Sequence, residues 1–583
     1  MTAPYAAAAR LDALLGDPWD PDNPYGFTAG AVRDATGEYP AAFAARLAAA
    51  DFPLAYLPPA LGGDTRPLDD TLLLVRVAAR RDAAVMPATL LSCSAVMTVL
   101  AAGTPEQAKT VAEWVREGRT VAFALSEEEA GSDVLAGRCR LDATADGHVL
   151  TGRKWLVGRG ASADAAVVVA RTAPRGAAAF TAVLLGPPEM AAVTRRPAQP
   201  VTGMRGIDFA DLVFDAVPVP ATAVLGAVGG GLAAAMRAQQ LVRLLSTAAC
   251  LATADTALRT ALRFTRARRV GGVPVAGTGH GSRELSLAAA ELMAADVVSL
   301  TAARYAHLAP GGFGLCSSVV KRATTRLTAS AIARSRALLG ARGVLAHGPG
   351  AVVDKAQRDN AVVESIDTSP FGVLRAVAAQ LPPYAGLLRE AAEPPGLDRL
   401  LALGDPLPDL DPAALDLAAR PRDLVLLGFA AHADAIEARL ADHGADRAAV
   451  LVRHVRAALE RTVAAAAGVR RGDSAAATRQ LDLADRCCLL YPAAAAALTW
   501  WAHPERGLYG EEPGGAGWLT AVLAVLLAHA EGRAPRQAAS DLPPAGRALA
   551  RLDDARLLFT ALPVPLSDGP GPDEGSDEGD DPT

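Results

Sequence analysis

The chain is poor in aromatic residues, which make up 4% of it although apolar residues make up 51%. Alanine, leucine and valine must therefore fill its cores, and a chain of that composition favours helices. Lysine is scarcer still: Lys109, Lys154, Lys321 and Lys355 are all that occur in 583 residues. Nearly all basic charge is arginine, the formal net charge is -6, and no basic run stands out. That balance excludes a nucleic-acid footprint. The six cysteines are scattered without a C-x-x-C pair, and the vicinal Cys487-Cys488 is poorly placed for a disulfide. The nine histidines show no metal-ligand spacing. No charge-free apolar run reaches the ~18 residues of a bilayer span. Met1-Thr-Ala-Pro-Tyr5 carries no basic stretch leading into an apolar one. These absences predict a reduced, cytoplasmic protein with no metal centre, no nucleic-acid partner and no integral membrane segment.

What is present is length and a changing pattern. A chain of 583 residues exceeds one ordinary core, so several domains are expected. Residues 1–120 carry helical apolar spacing over Ala41–Ala50, Leu68–Arg81 and Pro105–Arg116. Thr104-Pro105-Glu-Gln107 spells a capping box with proline at the first helical position. Residues 121–227 switch to short β-prone runs separated by Gly, Asp and Pro, which predicts a small antiparallel sheet or barrel. Residues 228–385 return to long helical patterns: Gly231–Ala267, Arg283–Leu308, Leu315–Leu339 and Phe371–Gln380. These predict a four-helix bundle. Residues 386–412 are rich in Pro, Gly and Asp and are expected to be a linker. Residues 413–562 form an alanine-rich helical region, in which Trp500-Trp501 is expected in the core. Residues 563–583 are an acidic tail expected to be disordered. The fold class is mainly α with a small β domain.

The most informative stretch is Phe123-Ala-Leu-Ser-Glu-Glu-Glu-Ala-Gly-Ser-Asp133. It predicts a strand through Leu125 that ends at Ser126 and runs into a turn at Gly131-Ser132. Hydroxyls and free backbone N–H groups at a strand end suit a flat, hydrogen-bonding ligand. The segment resembles the T-E-x-x-x-G-S-D signature of the acyl-CoA dehydrogenase family. Other matches follow in order over about residues 40–385: Leu57-Pro-Pro-Ala-Leu-Gly-Gly63, Gly103-Thr-Pro-Glu-Gln107, Leu150-Thr-Gly-Arg-Lys154, Gly203-Met-Arg-Gly206 and Arg358-Asp359. The extra C-terminal helices are similar in layout to the very-long-chain type of that family.

The resemblance implies an N-terminal helical domain, a middle β domain and a C-terminal bundle, with FAD between the last two. It implies α,β-dehydrogenation of an acyl thioester on CoA or acyl carrier protein, as in fatty acid metabolism. Electrons would pass to an electron-transfer flavoprotein or another acceptor, and the chain would form a homodimer or homotetramer. By position, Leu125, Ser126, Gly131 and Ser132 would hold the flavin, with Ser132 also near the substrate. Arg243 would serve the substrate. Arg268, 25 residues on, would reach the FAD pyrophosphate of a neighbouring subunit. Counting from Arg358-Asp359 puts Asp367 at the catalytic carboxylate, with Glu364 as a rival. Val242 leaves no acid at the family's other base position. Asp367, Thr368 or Ser369 is equally suited to cap a helix beginning at Pro370.

Four family contacts are replaced. Gly158 stands for a flavin-bonding threonine, Gly271 for a phenylalanine, Arg283 for a glutamine, and Ala341 for the second glycine of Q-x-x-G-G. These departures keep two alternatives open: a non-redox enzyme of the same fold acting on a thioester, or a non-catalytic homologue.

Overall fold

A computed structural model of the chain describes residues 4–64, 66–86, 92–198, 200–417, 421–469, 474–535 and 540–569. The N-terminal region holds α1 (Ala6–Leu15), α2 (Phe27–Thr36), α3 (Ala41–Ala48), α4 (Leu68–Arg81), α5 (Ser92–Ala102) and α6 (Pro105–Arg116). The capping box forms: Gln107 N–H donates to Thr104 Oγ1, and Thr104 N–H donates to Gln107 Oε1. α4 is buried almost all round, so its charges need partners. Arg76 meets Asp296 at 2.6 Å, Arg80 meets Asp568 at 2.9 Å, and Arg81 meets Asp12 at 2.8 Å.

The middle region is one sheet of β1 (Val121–Ala124), β2 (Arg140–Thr144), β3 (Gly147–Val157), β4 (Ala165–Arg171), β5 (Phe180–Leu185), β6 (Thr194–Pro197), β7 (Ala210–Pro220) and β8 (Val224–Leu225). The order is β6-β7-β3-β2-β4-β5-β8, with β1 added on β4. The sheet is mixed, not antiparallel as expected: β1 and β2 each run parallel to β4. β4 shows why its sequence is a continuous apolar run. Ala165, Val167 and Val169 face the helices, while Ala166, Val168 and Ala170 fill a separate β core. Both faces are covered, so no polar alternation is required.

The bundle consists of α7 (Gly231–Ala267), α8 (Gly279–Leu308), α9 (Phe313–Leu338), α10 (Gly348–Ser365) and the shorter α11 (Pro370–Gln380). The fourth long helix is therefore Gly348–Ser365, which the apolar spacing did not mark. The C-terminal region adds α12 (Leu424–Asp442), α13 (Asp446–Ala467), α14 (Ser474–Ala502), α15 (Gly517–Ala530) and α16 (Pro543–Asp554).

α14, α15 and α16 pack on α8. α7 and α8 are long and apolar enough to cross a bilayer, but their apolar stretches lie wholly inside the protein. Trp500 is in the core, and Trp501, partly buried, stacks on His432 at 4.4 Å.

The expected linker is pinned rather than loose. Arg304, buried in α8, donates to the carbonyls of Leu400, Arg399 and Asp405. The start of the expected tail is also ordered, because Val564 and Asp568 are buried; residues 570–583 lie outside the described residues.

The bundle and sheet are locked by two motifs far apart in sequence. Met204 N–H donates to Asp359 Oδ1 at 2.5 Å, and Asp359 also pairs with Lys355. Gly203 lies so close to the Arg358 carbonyl that a Cβ would sit 2.3 Å from it. Only glycine permits that approach.

Candidate active site

The strand-end turn is built around a buried cation. Lys154 Nζ, from β3, donates to the Leu125 carbonyl at 2.9 Å and to Glu127 Oε1 at 2.7 Å. Glu127 also accepts from the backbone N–H groups of Arg138 and Cys139. Partial burial works to raise the Glu127 pKa, but Lys154 and these N–H groups hold it below its ordinary value. Trp155 N–H closes the turn on the Ser126 carbonyl at 2.9 Å. The Ser126 hydroxyl is exposed and makes no hydrogen bond among the described residues. Gly131 adopts φ +52 with open space where a Cβ would go. Its N–H is not free, as the sequence suggested, but donates to the Glu127 carbonyl at 3.0 Å.

Across from this turn lies the loop between α10 and α11. Ser132 Oγ meets Ser369 Oγ at 2.7 Å, which joins the sheet to the bundle. Ser369 is the helix cap: its Oγ accepts from Gly372 N–H, with Pro370 at the first helical position. Asp367 is therefore not spent on capping. Asp367 has φ +56 and Thr368 has φ +116. A branched residue at that φ is strained, and such strain collects where surrounding contacts enforce it.

Arg243, buried on α7, supplies one such contact: its Nε donates to Thr368 Oγ1 at 3.2 Å and its Nη1 to Ser318 Oγ at 3.3 Å. Lys321, buried on α9, donates to Ser246 Oγ at 3.1 Å and to the Val363 carbonyl at 2.6 Å, at the end of α10.

These cations surround the Asp367 carboxyl electrostatically. Burial pushes Asp367 above the ordinary aspartate value, while Lys321 and Arg243 oppose the rise. Burial lowers Arg243 to about 10 and also lowers Lys321, with Asp367 partly offsetting both. Cys93, at the start of α5, is pushed up to about 12 by burial, with the Asp367 charge adding to it. Arg243 on α7 and Lys321 on α9 thus act on the partly buried Asp367 carboxylate at the loop. A carboxylate whose pKa is raised in a partly buried site can act as a general base.

The residues expected at the site from sequence divide cleanly. Ser132 meets the loop of Asp367 through Ser369, Leu125, Ser126 and Gly131 belong to the same strand end and turn, and Arg243 holds that loop through Thr368. Glu364 is committed elsewhere, 3.3 Å from Arg322, which Asp485 also engages. Arg268 is exposed beyond the far end of α7. At 1.5 Å per residue it lies ~38 Å from Arg243, so the two cannot serve one site within one chain. Lys154, Ser246, Lys321, Ser369 and Ser318 were not singled out from sequence as site residues. For Lys321 a signal existed, a rare lysine inside an apolar helical pattern. Ser369 carried only a helix-cap signal, and Ser246 and Ser318 carried none.

A helix–sheet–bundle chain with a hydroxyl-lined strand end set against a loop that carries a partly buried carboxylate defines a class of protein, and comparison gives the family. Residues 122–217 match the acyl-CoA dehydrogenase middle domain, and residues 229–366 match its C-terminal domain. Over these regions the chain is similar to the acyl-CoA dehydrogenase family. It is 32% identical over 175 residues to the mitochondrial 2-methylacyl-CoA dehydrogenase of Solanum tuberosum, covering 30% of this chain and 42% of that one. It is 29% identical over 246 residues to the cyclohex-1-ene-1-carbonyl-CoA dehydrogenase of Geobacter metallireducens, covering 42% and 62%. The chain thus spans less than two thirds of the length of these relatives. Among solved structures, butyryl-CoA dehydrogenase from Megasphaera elsdenii superposes with a TM-score of 0.60 at 23% identity, covering 65% of this chain and 98% of that one. PigA with FAD and proline superposes with a TM-score of 0.58 at 16% identity, covering 65% and 96%. These two likenesses establish the fold.

Proposed function

We propose that this chain catalyses flavin-dependent α,β-dehydrogenation of an acyl thioester, carried on CoA or acyl carrier protein, with Asp367 as the base. The observation that carries the reading is the contact of Ser132 with Ser369, which sets the strand-end turn against the loop bearing Asp367. The turn fits a flavin ring on this structure's own terms. It has a free Ser126 hydroxyl, open space over Gly131, and a Ser132 hydroxyl engaged only by another hydroxyl. FAD, when bound there, supplies the two-electron acceptor for the β-hydrogen.

The chain's own residues do the rest. Asp367 takes the α-proton of the thioester. Lys321 and Arg243 favour its ionised form against the burial that opposes it. Lys321 fixes the end of α10, and Arg243 fixes Thr368, so the loop presents the carboxyl in one geometry. The position of Arg268 supports a homodimer or homotetramer in which it serves a neighbour's cofactor. An electron-transfer flavoprotein or another acceptor would then reoxidise the flavin.

One observation favours the non-redox reading. Arg283, which stands for a cofactor-binding glutamine, is spent on Glu284 and His280, and Gly158 and Gly271 bring no side chain. Titration with FAD followed by anaerobic addition of acyl-CoA separates the readings. The proposal expects bound flavin whose absorbance near ~450 nm is bleached by an acyl-CoA. Acyl-CoA binding without FAD binding would move the chain to the non-redox class, and neither would leave a non-catalytic homologue.

A further inference from the structure

A large cavity lies far from Asp367. It measures about 1050 Å³ and opens between α2, the end of α7, the start of α10 and the end of α16. Arg263, on its wall, is 20 residues along α7 from Arg243, or ~30 Å at helical rise. The cavity needs the C-terminal region, because Asp553, Asp554, Arg556 and Gly569 complete it.

Its lining is of two kinds. Phe27, Val32 and Phe264, with the small Ala31 and Ala35 between them, make an aliphatic and aromatic strip. Val32 remains 57% exposed among the described residues, while Phe27 is buried. The charged part of the lining holds Arg263, Arg266 and Arg556 beside Asp553 and Asp554. Arg266 is neutralised by Asp553 and Asp554. Among the described residues, neither Arg263 nor Arg556 makes an ion pair. The Arg263 guanidinium lies over the Trp19 ring at 4.0 Å and donates through Nη2 to the Gly569 carbonyl at 3.1 Å. Its Nη1 is buried without a hydrogen-bond partner. A buried guanidinium N–H left unmade is costly, and an anionic oxygen is the acceptor that best matches its fork. Burial lowers the Arg263 pKa, and the carboxylates of Asp553, Asp568 and Asp17 only partly oppose the fall.

We propose that this cavity binds an anionic acyl amphiphile, its acid group on Arg263 and its chain along Phe27, Val32 and Phe264. The site is separate from the catalytic reading and does not rest on it. Two sources share the chemistry, a free acyl carboxylate and the phosphate-bearing thioester of CoA.

Trp19 provides the readout, because its ring packs on Arg263 and edge-on against Phe27 at 4.7 Å. Decanoate titrated into the full chain should change tryptophan emission saturably, and Trp19→Phe should remove most of that change. Arg263→Gln should weaken binding at least ~10-fold, the loss of one charge-assisted contact. Val32→Trp, which fills the strip, should abolish binding. Decanol, equal in chain but uncharged, should bind at least ~10-fold more weakly than decanoate. Decanoyl-CoA giving the same Trp19-dependent, Arg263-dependent signal would identify the thioester as a ligand, and decanoate alone would identify the free acid. The proposal fails if neither probe gives a saturable change up to about 1 mM, or if decanol matches decanoate. It also fails if folded Arg263→Gln and Val32→Trp bind as the unmodified chain does. Should those variants not fold, the decanol comparison on the unmodified protein still decides.

Discussion

Arg243 reaches across from α7 to hold Thr368 by its hydroxyl, Nε to Oγ1 at 3.2 Å, while Thr368 sits at φ +116. A β-branched residue is costly in that conformation, and the hydrogen bond from a buried guanidinium opposes the cost. Thr368→Ser keeps the hydroxyl and drops the branch, so its thermal midpoint should equal or exceed that of the unmodified chain. Thr368→Val keeps the branch and leaves a buried charged donor without its acceptor. It should lose about 1–3 kcal/mol. A ranking with Val above Ser in thermal unfolding would show that the strain at Thr368 is not held by Arg243.

The flavin turn makes a second prediction. Ser126→Ala removes a hydroxyl that the fold itself does not use. Gly131→Val meets open space but forces a branched residue to φ +52. Together they should weaken FAD binding at least ~10-fold by equilibrium titration, while far-UV circular dichroism stays unchanged. Undiminished FAD binding in the folded double variant would put the cofactor elsewhere.

Much of this arrangement was legible beforehand, and the gaps have physical causes. The helix–sheet–bundle order shows in the change of apolar period and in the Gly and Pro breaks. α10 escaped because its buried face carries Lys355 and Asp359, which pair with each other, and Lys355 also pairs with Asp82. A paired buried charge looks exposed to any apolar pattern. The parallel pairing of β1 with β4 was invisible because register between distant strands leaves no local trace. The apolar surface of α8 is covered within the chain, where α14, α15 and α16 pack on it. The turn from Ser126 to Ser132 was legible because its signature is contiguous. The compartment of Ser246, Lys321 and Ser318 was not, since each is a lone polar residue until packing gathers them.

Asp423 gives a pH prediction outside the site. It caps α12, accepting from Leu426 N–H at 2.8 Å and from the Tyr491 hydroxyl at 2.9 Å. Burial nonetheless raises its pKa to about 6. The folded state therefore holds this proton more tightly than the unfolded state does. Its contribution is fully present below the unfolded value of about 4 and is lost as pH rises through about 6, amounting to ~3 kcal/mol at most. Asp423→Asn removes that dependence and leaves an oxygen for the cap. The variant should gain stability relative to the unmodified chain between pH 4.5 and 7.5, approximately, in urea unfolding. A stability difference that stays flat over this range would mean that Asp423 ionises as freely when folded as when unfolded.

The last prediction concerns the base. Ser369, not Asp367, caps α11, so Asp367→Asn should leave that helix start intact. The amide keeps the shape of the side chain and removes its basicity. If Asp367 takes the α-proton, this change should reduce turnover by ~10²-fold or more with flavin content unchanged. The unmodified enzyme should also lose kcat/KM on the acid side at a pH above the ordinary aspartate value of about 4. The sign follows from the geometry: burial raises the Asp367 pKa and the base must be ionised to act, so protonation below that value switches it off. Glu364→Gln is the control. Glu364 is already held by Arg322 at 3.3 Å, so its amide should cost a few tenths of a kcal/mol in stability and leave turnover intact. Full activity in Asp367→Asn together with its loss in Glu364→Gln would transfer the role to Glu364.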